Sequence, residues 1–396
     1  MKRVLAVFLM LAILLTGLTV TASAATTGWQ KEGDYWYYYK ADGTKVTNDW
    51  VQTGGKWYYL GEEGIMKQDE VFVDEKTGKF YAADADGAMV TNLWFDDEGS
   101  YEEYSWTNWY YAGSTGELVK GWNKIDGKWY YFLGTQKADK GSWPIMITGI
   151  PIVDITEAGP VSLFDSGAFY GFKPNGQMIV GWGKPFEDSE TWVYGNADGS
   201  LVTNSWKKID GKWYYFNARG VMVSDGIVPF VDGKPGGWDD VAKATLYAFN
   251  KSGAMVENAW YKQEYVWTDE DGVKHTDYLW YYAGKDGALK KGWLKDGGKW
   301  YYLDAVDGSM YSDYMFEMSD GKWYGFKPSG EMVVGWYQFD DIWYYFKADG
   351  ARAEKEWVKS GSAWYYLKED GEMAKDEILT IDGKPYKFDA NGVWVP

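Results

Sequence analysis

Short aromatic runs flanked by polar residues recur along the whole chain. Clear copies begin at residue 121 with GWNKIDGKWYYF, at 205 with SWKKIDGKWYYF and at 292 with GWLKDGGKWYYL. The aromatic run has high strand propensity, and we expect the D-G or N-G that follows it to supply the positive φ of a tight turn. Each unit is therefore predicted to be a β-hairpin with a connecting loop. No segment shows the 3.6-residue period of a helix.

Each unit has four recurring positions. The leading tryptophan belongs to G-W, the central residue opens the W-Y-Y run, and the first and second tyrosines follow it. Self-similarity of this kind indicates a repeat architecture. We count fifteen units, with central residues Trp36, Trp57, Phe80, Trp109, Trp129, Phe169, Trp192, Trp213, Leu246, Trp280, Trp300, Trp323, Trp343, Trp364 and Pro385.

A lone two-stranded hairpin is marginally stable in water, so the units are expected to stack as an all-β solenoid whose core lies between neighbours. A six-hairpin block is duplicated, because AFYGFKPNGQMIVGW at 168–182 recurs as KWYGFKPSGEMVVGW at 322–336. Five insertions are predicted to be surface loops, at 96–108, 134–148, 153–167, 231–244 and 263–279.

Two positions change together in every third unit. The second tyrosine is replaced in units 3, 6, 9, 12 and 15 by Ala82, Gly171, Ala248, Gly325 and Lys387, and we assign to the leading position of the same units Phe72, Ile150, Ile227, Phe316 and Leu379. A tyrosine lost from a core would need a compensating side chain, whereas a surface cage could stay vacant. We therefore interpret these units as lacking a cage, on one side of a rod with three hairpins per turn.

The N-terminus predicts export. Lys2 and Arg3 precede an apolar run from Val4 to Leu15 and a small-residue end at Ala24. This pattern is typical of a signal peptide at residues 1–24, which leaves 25–396 as repeats. No later segment reaches the 18 apolar residues of a membrane span.

Composition excludes several function classes. The chain of 396 residues has a net charge of −18, or −20 without Lys2 and Arg3, and this acidity argues against nucleic acid as a partner. It has no cysteine, and its 26 Trp and 34 Tyr supply the area that a core needs without disulfides. His275 is the only histidine, and TDEDG at 268–272 lacks the spacing of a calcium loop, so we expect neither catalysis nor a metal or other cofactor.

The tandem motifs G-W, D-G-K-W-Y-Y-F and G-x-M resemble the choline-binding or cell-wall-binding repeats of exported bacterial proteins. They also resemble the related glucan-binding repeats of secreted glucosyltransferases. The resemblance covers about residues 28–396. It implies a left-handed superhelix with about three hairpins per turn, and ligands held between hairpins in cages of Trp and Tyr with a nearby Met.

Because aromatic faces attract cations that cannot donate hydrogen bonds, such cages suit a quaternary ammonium group. We predict cages built from the leading and central tryptophans and the second tyrosine of ten units. A ring from a neighbouring hairpin, not identified by the sequence, is expected to complete each cage. The predicted ligand-binding residues are Trp29, Trp36, Tyr38, Trp50, Trp57, Tyr59, Trp94, Trp109, Tyr111, Trp122, Trp129, Tyr131, Trp182, Trp192, Tyr194, Trp206, Trp213, Tyr215, Trp260, Trp280, Tyr282, Trp293, Trp300, Tyr302, Trp336, Trp343, Tyr345, Trp357, Trp364 and Tyr366.

Other roles for these aromatic residues are also consistent with the sequence. They could serve only as solenoid core, and the methionines (Met66, Met89, Met178, Met222, Met255, Met310, Met332 and Met373) are assigned to gap-filling between hairpins. The function predicted first is non-catalytic binding of choline-bearing teichoic acid by a secreted, wall-associated protein. A glucan or other polysaccharide is the alternative ligand, because rings stack on sugars too. A third reading is an adhesin whose inserted loops contact a host or other surface protein.

Overall fold

The structure is a computed structural model that describes residues 27–101, 104–134, 143–148, 152–156, 159–162, 167–187 and 189–396. The predicted signal peptide at 1–24 and Ile150 lie outside the described residues. The described chain is all-β, as predicted, and its only helical turn is a short 3-10 segment at Trp238–Asp240. No described helix is long and apolar enough to cross a membrane.

The chain divides into two compact units, taken over their described residues. The first is Met1–Gly149 with Phe172–Met178, and the second is Ile150–Gly171 with Ile179–Pro396. Phe172–Met178 joins the first unit because the Met178 N–H donates to the Trp129 carbonyl at 2.8 Å. The prediction of one repeat domain from 25 to 396 stays a prediction.

The first unit contains five antiparallel hairpins. Their strands are β1 (Gly28–Glu32), β2 (Tyr35–Tyr39), β3 (Asp49–Thr53), β4 (Lys56–Leu60), β5 (Glu70–Asp74), β6 (Lys79–Ala83), β7 (Leu93–Tyr101), β8 (Tyr104–Ala112), β9 (Gly121–Ile125) and β10 (Lys128–Phe132). Each pair of consecutive strands forms one sheet.

The second unit continues this arrangement, with three-stranded sheets β18-β17-β19 and β30-β31-β32. Its strands are β11 (Ile152–Thr156), β12 (Gly159–Ser162), β13 (Gly181–Gly183), β14 (Val193–Gly195), β15 (Ser205–Ile209), β16 (Lys212–Phe216), β17 (Gly226–Val231), β18 (Lys234–Pro235), β19 (Thr245–Phe249), β20 (Ala259–Thr268), β21 (Lys274–Ala283), β22 (Gly292–Asp296), β23 (Lys299–Leu303), β24 (Tyr314–Glu317), β25 (Trp323–Phe326), β26 (Gly335–Phe339), β27 (Ile342–Phe346), β28 (Glu356–Ser360), β29 (Ala363–Leu367), β30 (Ile378–Ile381), β31 (Lys384–Phe388) and β32 (Trp394–Val395).

The hairpin turn lies before the aromatic run and not after it, which corrects the sequence prediction. In β15–β16 the turn is Asp210-Gly211, with φ values of 48° and 81°. Two consecutive residues with positive φ match the tight turn whose twist fits a right-twisted hairpin. The later glycine, Gly220, closes a second turn that leads only to an isolated bridge between Phe216 and Met222.

The count of fifteen repeats is not confirmed. Thirteen of the fifteen central residues lie on the second long strand of a hairpin, whereas Trp192 directly precedes β14. The stretch at Phe169 forms only isolated bridges, such as Tyr170 with Ser200.

The residue after the second tyrosine position is almost always fully buried, as Phe132, Phe216 and Phe346 show.

Three of the predicted surface loops are hairpins. The insertion at 96–108 lengthens β7–β8, the insertion at 263–279 lengthens β20–β21, and the insertion at 153–167 carries β11–β12. In β20–β21 the pairing continues to Thr268 and Lys274. Aromatic and β-branched residues in these insertions favour strands, and Gly272 has the positive φ that the turn requires.

Candidate functional site

The leading tryptophan and the second tyrosine face each other directly across a hairpin. Trp50 pairs with Tyr59 and Trp206 pairs with Tyr215 in the strand register. Directly opposed side chains share one face of an antiparallel pair, which explains why these positions change together. The same pairing joins leading tryptophan and second tyrosine in all ten predicted cage units.

This register corrects three of the residues assigned to the leading position in the altered units. Val71, Met315 and Ile378 occupy that position, and not the adjacent Phe72, Phe316 and Leu379. Ile227 is confirmed opposite Ala248. The described altered units therefore all carry a non-aromatic apolar residue where the others carry tryptophan.

The interpretation of the two glycines as vacant surface space is wrong. A Cβ added to Gly171 would lie 3.2 Å from Leu201 Cδ2, and one added to Gly325 would lie 2.6 Å from Phe346 Cζ. Ala82 and Ala248 are likewise fully buried. In these units neighbouring core side chains fill the volume that the tyrosine ring occupies elsewhere.

A tyrosine from the following hairpin contacts the leading tryptophan. This is the first tyrosine of the W-Y-Y run, which sequence analysis did not select. Nine such pairs have ring centroids 4.8 to 5.0 Å apart, and they are Trp29–Tyr58, Trp50–Tyr81, Trp94–Tyr130, Trp182–Tyr214, Trp206–Tyr247, Trp260–Tyr301, Trp293–Tyr324, Trp336–Tyr365 and Trp357–Tyr386.

In four units the central tryptophan stands almost perpendicular to the leading one. The ring centroids of Trp50 and Trp57 are 6.5 Å apart at 85°, and those of Trp293 and Trp300 are 6.3 Å apart at 87°. Central tryptophans stay partly exposed, at 41% for Trp57 and 42% for Trp300. The two indoles and the tyrosine of the next hairpin thus form three aromatic sides of a solvent-facing recess.

Two of the recesses have a measurable volume and a distinct set of lining residues. One, of about 390 Å³, is lined by Trp206, Trp213, Tyr247, Met255 and Asp286. The other, of about 430 Å³, is lined by Trp336, Gln338, Asp341, Trp343, Ser360, Tyr365, Met373, Lys375, Ala390 and Asn391. Tyr215 and Tyr345, the second tyrosines of these hairpins, line neither recess, and Tyr215 is completely buried.

A methionine follows the central tryptophan at nine of the ten interfaces that have a leading tryptophan, and its position follows the same three-hairpin period. Its N–H donates to the carbonyl of the preceding central tryptophan at 2.8 to 2.9 Å in nine cases, which are Met66, Met89, Met146, Met178, Met222, Met255, Met310, Met332 and Met373. At the interfaces without a leading tryptophan the equivalent residues are Leu118, Leu201, Leu289 and Arg352. Gap-filling between hairpins is the role predicted for eight of these methionines, all except Met146, whereas Met255 and Met373 also line the recesses.

The last interface has a tryptophan at the methionine position. Trp394 pairs with Phe388 as Met373 pairs with Leu367. Its ring centroid lies 6.0 Å from that of Trp357 and 6.0 Å from that of Tyr386. The final recess is therefore bordered by one more aromatic ring than the others.

Hydrogen bonds hold two of the leading tryptophans. Trp50 Nε1 donates to Asp74 Oδ2 at 3.2 Å, and Trp260 Nε1 donates to Asp296 Oδ2 at 3.0 Å. Burial raises the pKa of Asp74, but hydrogen bonds from Thr77, the Lys76 backbone and Trp50 outweigh it and leave that pKa lowered. Asp74 is thus a carboxylate at neutral pH and fixes the Trp50 ring.

The interface after the twelfth unit holds a cation of its own. Arg352 stands at the methionine position, with its guanidinium carbon 4.9 Å from the ring centroid of Trp323 and 5.8 Å from that of Tyr344. Its side chain is only 9% exposed and pairs with Glu354 at 2.7 Å. A central tryptophan and the following first tyrosine, without a leading tryptophan, thus accommodate a delocalised cation.

The described residues contain no cluster of three or more His, Asp or Glu that could hold a metal ion. In the TDEDG turn, Asp269 accepts the Val273 N–H at 2.8 Å and contacts His275 Nε2 at 2.6 Å. Both groups therefore take part in the turn that closes β20–β21.

Two family models match stretches of the chain. The choline-binding repeat matches residues 26–69, 202–235 and 354–394. The putative cell wall binding repeat matches residues 120–135, 291–310 and 334–351.

Similar proteins come from streptococci. Glucosyltransferase-I of Streptococcus downei is 26% identical over 340 residues, which are 84% of this chain and 18% of the relative. The chain thus spans less than a fifth of that enzyme's length. Choline binding protein F of Streptococcus pneumoniae is 25% identical, with 94% of this chain and 100% of the other covered and a TM-score of 0.37. The choline-binding domain of CbpL from the same species is 30% identical, with 55% and 98% covered and a TM-score of 0.36.

The motifs that suggested the resemblance, G-W, D-G-K-W-Y-Y-F and G-x-M, are the ones that build the recesses. The first supplies the leading tryptophan, the second the central tryptophan and first tyrosine, and the third the methionine, as in the recess of Trp206, Trp213, Tyr247 and Met255. The chain therefore carries choline-binding repeats and putative cell wall binding repeats.

Proposed function

We propose that the chain is a non-catalytic binding protein whose recesses hold the quaternary ammonium groups of a choline-substituted wall polymer. Ten hairpins carry both tryptophans of a recess, which sets an upper limit of ten sites. The observation that carries the proposal is the recurring set of two indoles, a tyrosine and a methionine, as at Trp206, Trp213, Tyr247 and Met255. Such a set offers π-faces and a polarisable sulfur to a cation that cannot form hydrogen bonds.

Arg352 supports a cation over a sugar as the occupant. Its guanidinium lies against Trp323 and Tyr344, two of the ring positions that form the recesses elsewhere. The chain thus places a cation of its own between such rings at an interface that lacks the leading tryptophan. A neutral sugar would gain nothing from this electrostatic component of the aromatic faces.

Each site alone is expected to be weak. Each aromatic face contributes about 0.5 to 2 kcal/mol to cation binding, so three faces correspond to a dissociation constant of about 1 mM. Retention on a polymer then comes from several sites that bind the same chain at once. This agrees with a protein made of repeats and explains why the recess recurs.

The test is retention of the purified chain on an immobilised quaternary-amine matrix. We expect retention at moderate salt and elution by free choline, because a soluble cation competes for the same rings. Dextran beads serve as the parallel matrix. Passage through the amine matrix together with retention on dextran would contradict the proposal and establish the glucan alternative that the glucosyltransferase relative suggests.

A second candidate function, adhesion, is favoured by the long hairpin β20–β21. Its distal part exposes Tyr265, Val266 and Trp267 to solvent. An adhesin that uses this hairpin would lose cell attachment when 263–279 is shortened and would keep its retention on choline. Loss of both properties, or of neither, would argue against the adhesin.

We also propose that the chain is exported and associates with the cell wall, with residues 1–24 as the signal peptide. The basic start, apolar run and Ala24 support this proposal. N-terminal sequencing of protein recovered from the cell surface should begin at Ala25. A surface protein that still begins at Met1 would contradict it.

A further inference from the structure

A lysine recurs at the rim of the recesses, two residues after the leading tryptophan. It lies on the same strand face and, in the hairpin register, opposite the central tryptophan, as Lys208 lies opposite Trp213. Seven of the ten leading tryptophans are followed in this way, by Lys31, Lys124, Lys184, Lys208, Lys262, Lys295 and Lys359. We call these residues the rim lysines.

Rim lysines occur in hairpins that have a leading tryptophan and are absent from the described hairpins that lack one. The corresponding residues of the four described hairpins without a leading tryptophan are Val73, Pro229, Glu317 and Thr380. A lysine selected only for a hairpin surface would have no reason to avoid those four. Its distribution therefore points to the recess.

The rim lysines reach the recess wall. For six of them the ammonium nitrogen lies 5.2 to 6.0 Å from the ring centroid of the central tryptophan. Lys208 is one example, 5.7 Å from Trp213, the indole that lines the recess with Trp206. Lys208 is outside the lining itself, so its ammonium group lies at the edge of the recess, beside an indole that an occupant would contact.

These six lysines have no carboxylate partner within 4.0 Å among the described residues, although the chain has 58 acidic residues against 40 basic ones. Other lysines of the same repeats are paired, such as Lys79 with Glu117 and Lys368 with Glu372. An unpaired ammonium group beside a cation site would repel a bare cation. The repulsion becomes an attraction if the occupant also carries a negative charge.

We infer that the rim lysine is an anion subsite, so that each of these recesses takes a zwitterionic group, with the quaternary ammonium against the rings and a phosphate at the lysine. This inference rests on the proposed function and deepens it, because it selects a phosphate-linked choline over free choline and over a neutral glucan. The phosphate of a monoester or of a polymer diester would serve equally.

The test compares two sets of lysine-to-glutamine variants. The rim set changes all seven rim lysines. The control set removes the same number of charges from exposed lysines outside the recesses, at Lys40, Lys56, Lys128, Lys212, Lys234, Lys243 and Lys251. Lys56, Lys128 and Lys212 directly precede a central tryptophan and point to the opposite strand face, so they are close neighbours of the rim positions.

Titration calorimetry with choline and with phosphocholine is run on the wild-type chain and both sets. At low salt we expect phosphocholine to bind the wild type and the control set about two- to five-fold more tightly than choline. The rim set should lose this difference and keep its affinity for choline. About 1 M salt should abolish the difference in the wild type, because it screens exposed charges beyond about 3 Å.

The outcomes separate the two claims. Equal affinities of the wild type for choline and phosphocholine, or the same loss in both variant sets, would overturn the anion subsite and leave choline binding intact. Absence of any choline binding in the wild type would overturn the proposed function and, with it, this inference. Thermal unfolding of both variant sets shows whether a loss of affinity is caused by destabilisation of the fold.

Discussion

Replacing Tyr215 by alanine should destabilise the fold, whereas replacing Tyr247 by alanine should remove one binding site. Tyr215 is fully buried, and its hydroxyl donates to Asn204 Oδ1 at 2.7 Å. Truncation leaves a cavity in the core, so we expect the free energy of unfolding to fall by about 3 to 5 kcal/mol. Tyr247 lines the recess with Trp206 and Met255 and is only partly buried.

Urea unfolding and choline calorimetry on the two variants distinguish the roles of the two tyrosines. The Tyr247 variant should lose one site while its unfolding midpoint changes less than that of the Tyr215 variant. Tyr247→Phe is the control, since it keeps the ring and should keep the site. Loss of a site from a well-folded Tyr215→Ala protein, with no loss in Tyr247→Ala, would restore the second tyrosine as the ligand-contacting residue.

Removing the central tryptophan from all ten recesses should lower retention on a choline polymer by at least about 100-fold. The ten positions are Trp36, Trp57, Trp109, Trp129, Trp192, Trp213, Trp280, Trp300, Trp343 and Trp364. Multivalent binding gains about 10²- to 10⁴-fold over single sites, and this gain disappears when the sites do. A single change such as Trp213→Ala should alter retention little, because the other recesses hold the polymer.

The control removes exposed tryptophans that stand outside the recesses. Trp143, Trp238 and Trp267 are 38%, 52% and 42% exposed, similar to or above the central tryptophans. Their combined replacement by alanine should leave retention unchanged. Circular dichroism on the ten-site variant verifies the hairpins, and unchanged retention of a folded ten-site variant would contradict the assignment of the recesses.

The hairpins and the tryptophan sides of the recess could be predicted because both are local properties. Strand alternation decides which side chains share a face within one hairpin, so Trp206 and Trp213 were placed together. The ring that crosses to the next hairpin depends on stacking between hairpins, which no local pattern contains. The local pattern therefore predicts Tyr215 at the recess, whereas Tyr247 lines it and Tyr215 is buried.

Two further differences have identifiable physical causes. Aromatic likeness to tryptophan favours Phe72 at the leading position, while the strand register places Val71 opposite Ala82. The methionine period was present in the sequence, since Leu118, Leu201, Leu289 and Arg352 replace methionine only where the leading tryptophan is absent. The shared period of the methionine and leading positions is therefore a sequence signal that the methionines belong to the recesses.

The number of choline molecules bound at saturation shows whether the recesses are cation sites. Titration calorimetry on the full chain should give weak binding, with a dissociation constant of about 1 mM per site and no more than ten sites. A stoichiometry near fifteen would show that hairpins without a leading tryptophan also bind. Absence of binding heat with choline, together with binding of dextran, would show that the recesses are not cation sites.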